Sequence, residues 1–370
     1  MKILITCLSR SWGGLEMFSL QTVIQLRKRN IETELLCFPN SSLFIAAEKQ
    51  GIKTYTSPFK SYFHPVEVIK TAAFLKKNKY DIIQSGFSKD LWLLVPSLKI
   101  SRLNTPLLLS KQMGSFIIKK DFLHKLIYNR LTYAFAISSV IAKNLVETTT
   151  ISEKKVLLLY NGIDTNKFNP EKIDKFKFRN EFDIKKDDVL IGMMARFSPG
   201  KGHEEFLHSA QILNEKYDNL KFIVVGEPSK GEDEYAAAIK SLAQKLGVLE
   251  KTVFTGFRKD TPEVLAALDI FVFPSHAEAF GLALVEAMSM AKPSVCSGSD
   301  GVLDIAVDGV TSYLFEKQNY QDLAQKIEPL IMSPEKRNKF GNAARKRAVE
   351  MFDLEVYTNR LIEIYQEALN

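Results

Sequence analysis

Short apolar runs alternate along this chain with longer stretches in which apolar residues recur every three or four positions. KILITCL (2–8) reads as a first strand, and MFSLQTVIQLRKRN after Gly13-Gly14 reads as a helix. ETELLCF, IKTYTSP, YDIIQSG, LLLSK, YAFAIS and KVLLLYNGID read as further strands. Between them lie the helical patterns SLFIAAEKQG, PVEVIKTAAFLKKNK, the 121–131 region and SSVIAKNLVE. A polar, charged stretch, roughly 165–187, interrupts the alternation, which restarts at VLIGMMA. It then continues through HEEFLHSAQILNEKY, LKFIVVG, GEDEYAAAIKSLAQKLGV, TVFTG, TPEVLAALD, an apolar FVF run and SVCS. Strands separated by helices imply doubly wound parallel sheets. The 370 residues suit two such domains. Residues 352–370 form an amphipathic helix with Phe352, Leu354, Val356, Tyr357, Leu361, Ile364 and Tyr365 along it.

Composition changes this picture little: 46% hydrophobic and 25% charged residues describe a soluble globular chain. No apolar run is long enough for a bilayer-spanning helix, and the apolar start is too short for a signal peptide and has no small-residue cleavage site. Cys7, Cys37 and Cys296 are widely spaced in apolar runs, as core cysteines of a cytosolic protein are. Charge does change it. Residues 1–168 hold 24 Lys and Arg against 11 Asp and Glu, while the remainder holds 26 against 32. A basic first half favours an anionic partner such as a membrane surface or a phosphorylated acceptor. No nucleic-acid module is legible, so nucleic acid is disfavoured.

The densest candidate chemistry lies in residues 271–293, FVFPSHAEAFGLALVEAMSMAKP. The run FVF ends at Pro274-Ser275, a short loop carries His276 and Glu278, and a helix former begins at Leu282 after Phe280-Gly281. Strand, turn and helix in that order are where α/β proteins hold ligands. Free amides at a helix start favour an anion. Glu278 and Glu286 would flank such an anion and hold hydroxyl groups. Two isolated glutamates are ordinarily solvated surface residues, and a lone loop histidine such as His276 likewise. Further back, Arg196 follows a strand and Lys201 precedes a helix in RFSPGKG, so two cations would meet near a helix start. Neither a Walker A loop nor a G-x-G-x-x-G fingerprint can be written anywhere here, which weighs against a dinucleotide oxidoreductase.

These motifs resemble retaining glycosyltransferase family 4: Glu278 and Glu286 match its E-x7-E motif, and Arg196 with Lys201 its Arg-x4-Lys diphosphate clamp. The resemblance covers nearly the whole chain and is strongest from 189 to 310. It implies a GT-B fold, with two Rossmann-like domains facing a cleft and a C-terminal helix crossing back to the N-terminal domain. The expected acceptor domain is 1–168 with 352–370, and the expected nucleotide-sugar domain is 169–351. In that reading Glu278, Arg196 and Lys201 are catalytic. Glu286, Gly281, Leu282, Phe280, Gly226, Phe257 and Arg258 bind the donor, and Gly13, Gly14 and Glu16 form an acceptor and phosphate loop. Asn161-Gly162 reads as a tight turn needing positive φ before the interdomain crossing.

The chain also departs from the family pattern. Asp300-Gly301 and Asp304 stand where Gly-Gly-x-x-Glu is usual, so Asp304 is not assigned a role. The histidine often found in the N-terminal domain is absent from Gln84-Ser85-Gly86 and from Lys111-Gln112-Met113. No D-x-D or metal-ligand spacing is present, and neither a metal nor another cofactor is expected. The expected activity is therefore transfer, with retention, of a sugar from a nucleoside-diphosphate sugar to a glycan or lipid-linked acceptor of cell-envelope or lipopolysaccharide type. A soluble sugar acceptor and a non-catalytic nucleotide-sugar-binding protein are the alternatives. Residues 116–125, FIIKKDFLHK, set apolar side chains beside Lys119, Lys120 and Lys125. If exposed they would anchor a cytoplasmic enzyme peripherally to an anionic membrane; otherwise they are ordinary packing.

Overall fold

The computed structural model describes residues 1–60, 62–229 and 231–370, and they form two compact units. The first comprises Met1–Asn161 and Leu354–Asn370, the second Gly162–Asp353.

In the first unit seven strands make one parallel sheet: β1 (Lys2–Cys7), β2 (Glu32–Cys37), β3 (Thr54–Thr56), β4 (Ile82–Ser85), β5 (Leu107–Lys111), β6 (Tyr133–Ala136) and β7 (Val156–Leu158). Their order is β3-β2-β1-β4-β5-β6-β7. β1, β2 and β5 are buried almost throughout, because helices cover both faces of a parallel sheet. The helix Leu354–Leu369 completes this unit. Leu361, Ile364 and Tyr365 are fully buried with Ile5, Leu26 and Phe135, and Tyr357 meets Phe18 edge-on with centroids 4.9 Å apart. The Tyr365 hydroxyl donates to Gln84 Oε1 at 2.5 Å. Cys7, Cys37 and Cys296 are buried free thiols; burial pushes Cys37 and Cys296 up to about 12.

The second unit has six parallel strands: β8 (Val189–Met194), β9 (Leu220–Val225), β10 (Thr252–Gly256), β11 (Ile270–Phe273), β12 (Ser294–Ser297) and β13 (Ser312–Phe315), ordered β10-β9-β8-β11-β12-β13. Strand order reverses direction between β8 and β11, which opens a crevice at their carboxyl ends. The core under the sheet is built from Ile191, Phe206, Phe222, Ile270, Val295 and Ile327 with their neighbours.

Four features depart from expectation. The helix Leu91–Ser101 contains Pro96, which breaks its sequence pattern. Its Ser97 hydroxyl donates to Leu93 O at 2.7 Å and to Val68 O at 3.0 Å, tying it to the helix Pro65–Asn78. The charged stretch read as a linker contains the helix Lys175–Glu181, whose Arg179 is buried against Asp269 at 2.5 Å. Residues 162–168 pack in the second unit rather than the first. Ile163 N donates to Phe352 O at 2.8 Å, and Phe168 O accepts from Ser289 Oγ at 2.7 Å. The Asn161-Gly162 turn reading also needs correction, because neither residue has positive φ. Asn161 is buried and exchanges amide hydrogen bonds with Gln112 at 2.8 and 3.3 Å.

Candidate functional site

Because all strands of the second sheet are parallel, the segments after β8, β9, β11 and β12 emerge on one edge. Arg196 and Lys201 follow β8, Gly226 follows β9, and Glu278 and Gly281 follow β11. Two glycines let these segments close on one another. Gly226, at φ 147°, would bring a Cβ to 1.9 Å from Ala195 O, beside Arg196. Gly202, at φ 80°, would bring one to 2.4 Å from Pro274 O, at the end of β11. The helix His203–Asn214 therefore starts directly against the β11 loop.

That contact sets the central ion pair. Lys201 Nζ lies 2.6 Å from Glu278 Oε1, both side chains mostly buried, joining the two loops that flank the crevice. The Glu278 carbonyl accepts from Gly301 N at 3.0 Å, which pins the loop to the segment after β12. Arg196 is exposed and donates to Ser229 Oγ at 3.2 Å. Glu232 bonds to Ser198 Oγ at 2.6 Å and to Ser229 N at 3.1 Å, and the Ser198 hydroxyl foremost holds its carboxyl low. Glu286 lies on the helix Leu282–Ser289, half-buried, and burial pushes its carboxyl up to about 7 against the pull of Lys167. Gly281 is the residue before that helix, and the Leu282 amide is among those an α-helix leaves without an internal acceptor.

The other expected donor contacts divide. Phe280 is buried and meets Phe352 edge-on at 5.7 Å, so its side chain is core. Phe257 is exposed after β10. Arg258 is turned to Glu181 and Asp260, with contacts of 2.5–2.9 Å. His276 is not a free surface residue. Its Nε2 lies 2.8 Å from Glu205 Oε1 and its Nδ1 3.2 Å from Gln318 Nε2, so it braces the loop that carries Glu278.

Gly13, Gly14 and Glu16 lie in the first unit. Glu16 is buried and accepts from Gly13 N at 2.8 Å, closing the start of its own helix Gly14–Lys28. A neighbouring side chain, Leu15, lines a pocket with Lys89, Lys111 and Lys119; the sequence marked Lys119 as a membrane-anchor residue and gave Lys89 and Lys111 no binding role. Their signal is visible in hindsight: Lys111 ends the buried apolar strand β5, an unusual place for a lysine. In the 116–125 segment Phe116, Ile117, Ile118, Phe122 and Leu123 are all exposed. Among the described residues no helix is long and apolar enough to cross a membrane.

The family description "Glycosyltransferase Family 4" matches residues 12–167, and "Glycosyl transferases group 1" matches residues 174–347. The chain is 28% identical to the capsular polysaccharide biosynthesis glycosyltransferase CapM of Staphylococcus aureus, over 64% of this chain and 62% of that protein. It is 24% identical, over 98% of both chains, to the N,N'-diacetylbacillosaminyl-diphospho-undecaprenol alpha-1,3-N-acetylgalactosaminyltransferase of Campylobacter jejuni. The crystal structure of Anabaena HepE in complex with UDP superposes with a TM-score of 0.85 at 23% identity, covering 99% of this chain and 100% of that one. With these matches to both halves and two parallel-sheet Rossmann-like units of the GT-B type, the chain belongs to glycosyltransferase family 4, the glycosyl transferases group 1.

Proposed function

We propose that this glycosyltransferase moves a sugar, with retention, from a nucleoside-diphosphate sugar to a lipid-linked or glycan acceptor of the cell envelope. The Lys201–Glu278 pair carries the reading, because it sets a cation and a carboxylate together at the switch point of a parallel sheet. An incoming diphosphate competes for Lys201 and joins Arg196. Charge-assisted contacts of this kind are worth about 1.5–3 kcal/mol each. Glu278, released from Lys201, can then accept from hydroxyls of the transferred sugar, while Glu286 accepts from the ribose.

In the reaction the bond between the anomeric carbon and the diphosphate oxygen breaks, and the acceptor oxygen bonds to that carbon on the same face. The acceptor proton passes to the departing phosphate oxygen, so no basic side chain is required at that point. Negative charge grows on the leaving group, and Arg196 and Lys201 stabilise the transition state more than the bound donor. No metal or other cofactor enters the proposal. The diphospho-undecaprenol in the name of the Campylobacter relative and the capsular polysaccharide in that of CapM support an envelope acceptor. The exposed apolar side chains of 116–123 beside Lys119, Lys120 and Lys125 support peripheral contact with an anionic membrane on its cytoplasmic side.

Thermal shift with UDP-, GDP- and ADP-sugars tests the donor site. One of these donors should raise the melting midpoint, since a ligand at a hundred times its Kd adds about 2.7 kcal/mol. Arg196→Ala and Glu286→Ala should each lose most of that shift. Equal stabilisation of parent and variants would overturn the assignment.

A further inference from the structure

The pocket that Leu15 borders is small, about 180 Å³, and cationic. Lys111 is buried and donates to Ser88 Oγ at 3.3 Å, Lys119 is half-buried, and Lys89 lies 5.1 Å above the Tyr62 ring. No aspartate or glutamate is among the described lining residues, and none of the three lysines is in an ion pair among them. Burial and the neighbouring Lys119 hold Lys111 down at about 8, and burial also lowers Lys119. Lys89 donates to Lys60 O at 2.8 Å and feels the Asp90 carboxyl, but Lys111 and Lys119 are recessed ammonium groups with no paired carboxylate among the described residues, which favours an anion.

One wall of this pocket is shared with something of opposite character. Tyr62 and Trp92, edge-on with centroids 5.3 Å apart, also line a groove of about 1040 Å³. Its floor and sides include Val68, Ile69, Val95, Leu98, Leu123 and Leu126, and Lys99 and Arg102 also line it. Ile69, Leu123 and Leu126 are all more than 45% exposed, an apolar surface that a folded domain does not ordinarily leave open. The groove is recessed, whereas Phe116 projects wholly into solvent. A concave slot suits one chain of a lipid better than the face of a bilayer.

We infer that the first unit binds a single amphiphile across the Tyr62–Trp92 wall, its phosphate or diphosphate on Lys89, Lys111 and Lys119 and its isoprenoid-like chain in the groove. This rests on the reading of the enzyme as using a lipid-linked acceptor, and it places the head and the tail of that acceptor on named residues. Leu15 beside the lysines sets the head next to the Gly13–Glu16 turn.

Farnesyl diphosphate is the probe, read by the fluorescence of Trp92 in a Trp12→Phe protein, since the chain has two tryptophans. It should bind saturably and at least about tenfold more tightly than either inorganic pyrophosphate or farnesol, because each of these fills half of the site. Lys119→Met should reduce its affinity at least about tenfold, and Ile69→Asp should bring it down to that of pyrophosphate. Both side chains are accessible enough for these variants to fold; Lys111→Met, at a buried position, is a supporting variant. Arg196→Ala should leave this binding unchanged, which separates the lysine pocket from the donor crevice. Equal affinities for farnesyl diphosphate and pyrophosphate, or no effect of Ile69→Asp, would overturn the inference. So would binding to phosphatidylglycerol vesicles that depends on Ile69 and Lys119 without any binding of farnesyl diphosphate. If farnesyl diphosphate fails while a nucleotide sugar still shifts the melting midpoint, this site falls and the donor reading stands; the reverse result removes the donor reading alone.

Discussion

Glu286 sits on a helix in the second unit with its carboxyl pushed up to about 7 by burial. Since the folded value lies above the ordinary 4.5, the fold prefers the neutral acid. That preference contributes fully below 4.5 and is lost as pH rises through about 7. Glu286→Gln should therefore melt higher than the parent at about pH 8 and equal to it at about pH 4, in paired thermal scans. The same change should weaken nucleotide-sugar binding, because an amide is a poorer acceptor for two ribose hydroxyls than a carboxylate. In the parent, that affinity should rise between about pH 6 and 8 as the group ionises, and the variant should show no such rise. A variant less stable than its parent at the higher pH would count against a desolvated Glu286. Stability given up at one side chain is the usual mark of a group kept for binding.

At the scale of elements, the turn after β9 decides how the β8 loop lies. Gly226→Ala would force a Cβ against Ala195 O in a backbone conformation that side chains rarely adopt. The expected cost is more than about 2 kcal/mol, with donor affinity falling because Arg196 is displaced. Chemical denaturation and donor titration of the same sample measure both. Much at this scale was legible in the sequence: strand-turn-helix around 271–290 is present as read, and Lys201 and Glu278 meet. What was missed follows from particular residues. Pro96 hid the helix Leu91–Ser101, because its serine-to-carbonyl bonds are invisible in a periodicity. Asn161-Gly162 looked like a turn, because the local pair gives no hint of Gln112. The bond by which Glu16 closes its own helix has no local signal beyond the turn itself, and His276 looked solvated and braces a loop through Glu205. Lys111 and its pocket depend on residues from β5, from the segments after β4 and β5 and from four helical segments, which no single stretch reveals.

For the molecule as a whole, the unit Gly162–Asp353 lies in sequence between the two segments, Met1–Asn161 and Leu354–Asn370, that build the other unit. Leu361, Ile364 and Tyr365 are wholly buried against β1 and the helix Gly14–Lys28. Losing a buried leucine, isoleucine or tyrosine costs about 2–5 kcal/mol each. Removing residues 354–370 should leave the first unit open to limited proteolysis while 162–353 stays protected, and mass spectrometry of the fragments would tell. An intact first unit after truncation would contradict the packing described. The arrangement also imposes an order on synthesis. Residues 162–353 leave the ribosome before the segment that completes the sheet begun at Lys2, so the second unit can fold before the first is complete. The apolar surface of β1 and the helix Gly14–Lys28 that Leu361 and Tyr365 cover therefore waits for that segment while residues 162–353 are made.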